Sequence, residues 1–273
     1  MSAGSINQQL LDHHPAAYKC LSKLGKRLYF PKGVPVQAAE ASDCRYNATI
    51  GQVTDDSGAP TPLPSMARHI AGLTLDEVFL YSPQGGRKDL RQQWHQRLAE
   101  EISLPLSLPV VCAGLTHGLS IASDLFVDPG TDVFLPNPRW GNYDHIFSTR
   151  AAGNIIDYCL ADPTDGYRFS VAELRRKLQQ RESTKPALLV LNIPSNPSGY
   201  SPTFSECQEL VQVISEQPGP LVIVLDEAYK DMIWQAEAPS ESLINELGSL
   251  DSSRFLLMKI DGATKELFFF GGR

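Results

Sequence analysis

"LVIVLDEAYKD", residues 221–231, decides how the chain is read. An unbroken apolar run leads into Asp226, with none of the alternation shown by a strand that faces water on one side. Such a run fits a strand buried on both faces, which requires a parallel sheet with helices packed against each side. Asp226 then falls at the carboxyl end of the strand, where an unpaired buried carboxylate is costly. Something cationic should stand near it, either the partner of a structural ion pair or the protonated ring nitrogen of a bound cofactor.

Working outward, further buried strands are predicted at "PVVCAG" (109–114), "DVFLP" (132–136), "IIDYCL" (155–160), "ALLVLNI" (187–193) and "RFLLMKI" (254–260). Helical periods separate several of them. In residues 86–102, Leu90, Trp94, Leu98 and Ile102 recur every fourth position, the mark of an amphipathic helix. Residues 116–126 read as a helix ending before the turn "DPG". Ser170 with Glu173, and Thr203 with Glu206, have the spacing of capping boxes. Residues 1 to 70, punctuated by Pro31, Pro35, Pro60, Pro62 and Pro64, read as irregular, with an exposed connector at 54–64.

Composition narrows the function classes. The 273 residues are 42% hydrophobic and 20% charged, enough apolar material for a sizeable core. A net charge of −7 leaves no electrostatic footprint for nucleic acid or an anionic membrane. No apolar run approaches the roughly 18–20 residues that span a bilayer, and the N-terminus lacks the pattern of a signal peptide. Five scattered cysteines without a C-x-x-C pair argue against a metal site or disulfide framework, so a reducing cytoplasm is expected.

In a parallel sheet, ligands bind beyond the carboxyl ends of the strands, so the loops there carry the chemistry. "CAGLTHG" (112–118) turns into a helix, and the amides of Leu115 and Thr116 with the Thr116 hydroxyl form a natural anion site; an ordinary capped helix with His117 as bystander is the plainer alternative. "LPNPRWGNY" (135–143) offers Trp140, either a stacking face for a planar ligand or a core residue. "NIPSNPSGY" (192–200) holds Asn196 between prolines, which is also ordinary turn chemistry. "KIDGATKELFFFGGR" (259–273) brings Lys265 as a possible nucleophile and Arg273 as a possible phosphate clamp.

Together, "YSPQGGRKDLR" (81–91), "NPSG" (196–199), "DEAY" (226–229) and the pair Lys265 and Arg273 resemble the class I/II aminotransferases, fold-type I enzymes dependent on pyridoxal 5'-phosphate. The resemblance runs from Asn47 to Arg273. It implies an α/β, three-layer α/β/α fold with a mostly parallel central sheet. Residues 61–273 would form the cofactor-binding large domain, and residues 1–60 an N-terminal arm and part of a second, smaller domain. It also implies that Lys265 forms the Schiff base with the cofactor, that Asp226 pairs with the pyridinium nitrogen, and that Asn196 and Tyr229 hydrogen-bond the ring hydroxyl. Trp140 would stack on the ring. The phosphate would be held by Arg273, Thr116 and the amides of Leu115 and Thr116. Tyr81 would reach the phosphate of a neighbouring subunit in a homodimer, and Gly51 would lie near the substrate carboxylate. Trp140 and Asn196 would border the substrate as well.

The implied activity is transfer of an amino group from an amino acid to a 2-oxo acid, with Lys265, Asp226 and Tyr229 carrying the catalysis. C–S lyase or decarboxylase chemistry on the same fold is the alternative, as is a non-catalytic, truncated protein of this fold. Two departures from the family pattern stand out. Gly262 occupies the place of a phosphate-binding serine, with Thr264 and His117 available to compensate. The family also continues well past the matching arginine, so the expectation is an N-terminal part of such an enzyme, cut at its last cofactor ligand.

Overall fold

The structure, a computed structural model, describes residues 2–29, 33–49, 51–160, 162, 166 and 168–271. Its centre is a five-stranded sheet: β1 Asp132–Asn137, β2 Asn154–Cys159, β3 Ala187–Asn192, β4 Leu221–Asp226 and β5 Phe255–Ile260. The order is β2-β1-β3-β4-β5 and every pairing is parallel. The unbroken apolar runs are explained by position, since β3 and β4 are central and covered on both faces.

Alternate residues of these strands serve two separate cores. Leu188, Val190 and Val224 join Val133 and Leu135 on one face. There they meet Leu119 of helix Leu115–Phe126 and Ile146 and Phe147 of the widely wound helical segment Asp144–Arg150. Leu189, Leu191, Ile223 and Leu225 point the other way, to Leu174 and Leu178 of helix Val171–Gln179 and Leu210, Val213 and Ile214 of helix Phe204–Ser215. The result is three layers, helix on sheet on helix. Each fully buried leucine or isoleucine contributes about 1.5–3 kcal/mol relative to exposure.

The chain divides into two compact units, Met1–Thr61 and Pro62–Arg273. Residues 1–70 are not irregular as expected. The first unit contains α1 Ala3–His13, α2 Pro15–Cys20 and α3 Val34–Glu40, and α4 Pro64–Ile70 opens the second. The prolines start helices there: in α2, α3 and α4 a proline sits in the first or second helical position, where its fixed φ suits the helix and its missing N–H is not needed. Helices α5 Leu75–Phe79, α6 Lys88–Ala99 and α7 Leu115–Phe126 follow. The remaining ones are α8 Val171–Gln179, α9 Phe204–Ser215, α10 Ile244–Leu247 and α11 Ala263–Glu266.

Two further expectations are corrected. Residues 109–114 are not a strand; Val110 and Val111 are exposed, and Val111 N–H donates to the Gly85 carbonyl at 3.0 Å instead of joining the sheet. The Ser170 box does not form: Ser170 makes no side-chain cap bond, and the Glu173 carboxylate accepts from the Cys159 amide at 2.8 Å instead of turning back to its own helix start. The Thr203 box does form, with Thr203 N–H donating to Glu206 at 2.7 Å and Glu206 N–H to Thr203 Oγ1 at 3.3 Å. Among the described residues, no helix is long and apolar enough to cross a membrane.

Candidate active site

Parallel register sets the strand ends side by side. Asn192, Asp226 and Ile260 lie opposite one another at the carboxyl edges of β3, β4 and β5. The segments that leave these positions carry Asn196, Tyr229 and Lys265, which is why residues far apart in sequence converge. Asn192 fixes the first of them. Its side chain donates to the Asp226 carbonyl at 3.2 Å and accepts the Asn196 amide at 2.8 Å. Asn196 Nδ2 in turn donates to Tyr229 Oη at 3.3 Å. Lys265 Nζ lies 5.9 Å from the centre of the Tyr229 ring and 5.2 Å from that of Phe270.

Asp226 is only 3% exposed. Burial pushes its carboxyl above the usual range, and the neighbouring Glu227 charge adds to that. The Tyr143 hydroxyl and the Ala228 amide, which donates at 3.3 Å, work in the opposite direction. Of the two cationic partners expected for it, the structural ion pair is not found: among the described residues, none forms an ion pair with Asp226. Its partner is the phenol of Tyr143, a residue the sequence did not single out. The signal was the spacing "WGNY", which puts Tyr143 three residues after Trp140 at the start of a helical segment. The two rings meet edge to face at 5.8 Å.

Removing that phenol should leave the carboxylate short of a donor. Tyr143→Phe is expected to destabilise the chain by about 1.5–3 kcal/mol where Asp226 is ionised, and by less at acid pH where it is protonated. Urea unfolding at two pH values checks this; equal losses at both would contradict it.

The other edge of the site comes from α7. Gly114 takes φ 79° just before the helix, a left-handed conformation suited to glycine, and the first amides of the helix have no acceptor within it. Thr116 is exposed and Leu115 half-buried. Leu115 meets the Lys265 segment closely: a Cβ added to Gly262 would lie 3.2 Å from Leu115 Cδ1. A glycine at 262 thus lets the helix start approach the loop without a side chain between them. His117 Nδ1 accepts the Ala113 amide at 3.1 Å, tying it to its own helix start.

The structure therefore brings together Asp226, Asn196, Tyr229 and Lys265, joins Trp140 to them through Tyr143, and sets Leu115 against the loop that carries Lys265. Tyr81 is fully exposed. Gly51 lies in the first unit, in an exposed irregular stretch. Arg273 lies outside the described residues. Beside the site, Lys259 is held by Glu227 at 2.7 Å and Asp261 at 2.6 Å. Burial pulls its ammonium down, but the two carboxylates outweigh that and raise it.

A family model described as aminotransferase class I and II matches residues 47–261. An aspartate aminotransferase of Streptomyces avermitilis is 28% identical over 198 residues, covering 72% of this chain and 47% of the relative. One from Musicola paradisiaca is 27% identical over 208 residues, covering 74% and 50%. The chain thus spans about half the length of these relatives. Among solved structures, an aminotransferase from Anaerococcus prevotii superposes with a TM-score of 0.81 at 18% identity, over 92% of this chain and 64% of that one. The aspartate aminotransferase from Thermus thermophilus with maleate gives 0.74 at 21% identity, over 93% and 63%.

Proposed function

The chain belongs to the class I and II aminotransferase family, and from that premise we propose that it carries the pyridoxal phosphate site of an enzyme moving an amino group from an amino acid to a 2-oxo acid. The observation that carries this is Asp226, a buried carboxylate with no cation among the described residues, at the centre of a converging set of strand-end side chains. A protonated ring nitrogen is the partner such a carboxylate lacks.

The donor set fits the cofactor. Lys265 Nζ, beside the Tyr229 ring, is the amine that would react with its aldehyde. Asn196 Nδ2 and Tyr229 Oη, already joined, are poised for the ring hydroxyl, and the Trp140 indole for the ring face. The helix-start amides of Leu115 and Thr116, with the Thr116 hydroxyl, suit a phosphate. When bound, the cofactor supplies an electron-withdrawing ring that stabilises negative charge at the substrate's α-carbon. Asp226 would hold a proton at the ring nitrogen. Lys265 would accept the proton from the substrate's α-carbon. Burial, with the Asp226 charge added, pushes the Tyr229 hydroxyl above its usual range, and the Asn196 bond opposes this. Tyr229 therefore acts as a neutral hydrogen-bond donor and not as a base.

The roles of Gly51, Tyr81 and Arg273 rest on the sequence resemblance alone, as do a homodimer and a cytoplasmic location. The names of the relatives make aspartate the first donor to test. The chain should take up one equivalent of pyridoxal phosphate with a new visible absorption band. Adding aspartate should bleach that band and release the matching 2-oxo acid. Failure to bind the cofactor would sink the reading, and pyruvate with ammonia from a sulfur amino acid would replace it with a lyase.

A further inference from the structure

We propose that Glu266 is a positioning residue for the Lys265 amine, gripped together with Asp261 by one face of α6. The inference rests on the reading of Lys265 as the amine that takes up the cofactor.

Lys265 sits on α11, a helix of four residues. A helix so short has no stability of its own, since isolated helices under about 12–15 residues are marginal in water. It closes with only local bonds, Leu267 N–H to Ala263 O and Phe268 N–H to Lys265 O, both 3.2 Å. Phe268 follows at φ 51°, a costly conformation for a bulky residue. Something outside the helix must hold this turn, or the direction of the Lys265 side chain would be undefined.

The holding contacts come from both flanks. Before α11, Asp261 accepts Trp94 Nε1–H at 3.1 Å. After Lys265, the Glu266 side chain is 4% exposed and lies 3.6 Å from Arg97. It also accepts the Asp231 amide at 3.3 Å. Trp94 and Arg97 are three residues apart on α6, so they share one face, and Arg97 lies over the Trp94 ring at 5.0 Å. Arg97 pairs with Asp231 at 2.7 Å as well, which ties α6, the turn Lys230–Met232 and α11 into one cluster. Successive residues of a helix project about 100° apart. With Glu266 fixed inward, Lys265 is turned toward Tyr229 and Phe270. The function did not require Trp94, yet its polar tip is what sets it apart on the apolar face of α6.

The charges facing Glu266 are Asp231 on the Lys230–Met232 turn, Arg97 on α6 and Asp261 at the end of β5. Lys230 is engaged by Glu101 and Lys259 by Asp261 and Glu227. Burial, then the Asp231 charge, lift the Glu266 carboxyl to about 7. The folded value lies above the unfolded one, so the docked turn prefers protonated Glu266. That preference is fully present below the unfolded value and is lost as pH rises through about 7.

The test measures how fast pyridoxal phosphate becomes fixed on Lys265, trapped by borohydride and located by peptide mapping. Glu266→Ala is expected to slow labelling about tenfold or more, because a misplacement of order 1 Å can cost about 100-fold. Glu266→Gln keeps the acceptor for the Asp231 amide and cannot ionise. Its rate relative to wild type should be near one at pH 5.5 and above one at pH 8.5. Labelling of Glu266→Ala at the wild-type rate, or a Gln-to-wild-type ratio that does not change with pH, would overturn the inference. No label on Lys265 in the wild-type chain would instead overturn the cofactor reading beneath it. If Glu266→Ala does not fold, Arg97→Met releases the same anchor from the α6 side and carries the same expected slowing.

Discussion

Lys265→Ala is expected to abolish covalent retention of pyridoxal phosphate and to lower turnover by at least about 10²–10⁴-fold, the usual worth of a positioned acid–base group. The size of the effect follows from the lack of a substitute nearby among the described residues. Lys259 is beside the site, but Glu227 and Asp261 hold it at 2.7 and 2.6 Å and keep it protonated. Lys230 is engaged by Glu101 and Asp231, whose bonds and charges raise it against the pull of burial. An ammonium fixed in an ion pair is neither a nucleophile nor a base. Borohydride treatment should therefore add the mass of one reduced cofactor to the wild-type chain and none to the variant. Label appearing at Lys259 or Lys230 at a comparable rate would refute the assignment.

What could be read in advance divides along physical lines. The central strands β1, β3 and β4 were legible because their residues are buried on both faces, so hydrophobicity alone marks them; β2 and β5, at the sheet edges, are only partly covered but keep apolar runs. The sixth expected strand, 109–114, has the same composition but half-exposed side chains and one backbone bond to Gly85; composition cannot tell these cases apart. The N-terminal helices were hidden by prolines at helix starts, which read identically to loop breakers until the following residues are seen to wind. Glu173 and Glu206 have the same spacing to a hydroxyl residue. One caps its helix and the other goes to Cys159, a choice made by tertiary neighbours and invisible locally. At the site, Asp226, Asn196, Tyr229 and Lys265 were legible as strand-end residues. Tyr143 and the α6 clamp were not, because both are long-range: Tyr143 bonds a residue 83 positions away and Trp94 one 167 positions away.

Asp226→Asn should separate function from stability. In the cofactor-free chain the substitution removes a buried carboxylate whose ionisation burial opposes. Because the folded carboxyl value is raised, the native state binds more protons than the unfolded one as pH climbs from 3.8 toward the folded value. Stability therefore falls with pH across that window. Asparagine escapes this loss and still offers an acceptor to Tyr143 or the Ala228 amide. Above that window the variant should unfold at higher urea than wild type; the difference should vanish in acid. With cofactor bound the sign reverses. Asparagine cannot balance a proton on the ring nitrogen, and removing one partner of a buried charge pair costs about 3–5 kcal/mol. That corresponds to a loss of roughly 10²–10³-fold or more in turnover. The cofactor should still be retained through Lys265. Denaturant curves of the free chain, set beside single-turnover rates of the loaded one, test both halves. A variant less stable without cofactor would mean that Asp226 is held by a cation after all, and one that keeps full rate would mean that its charge does not serve the ring nitrogen.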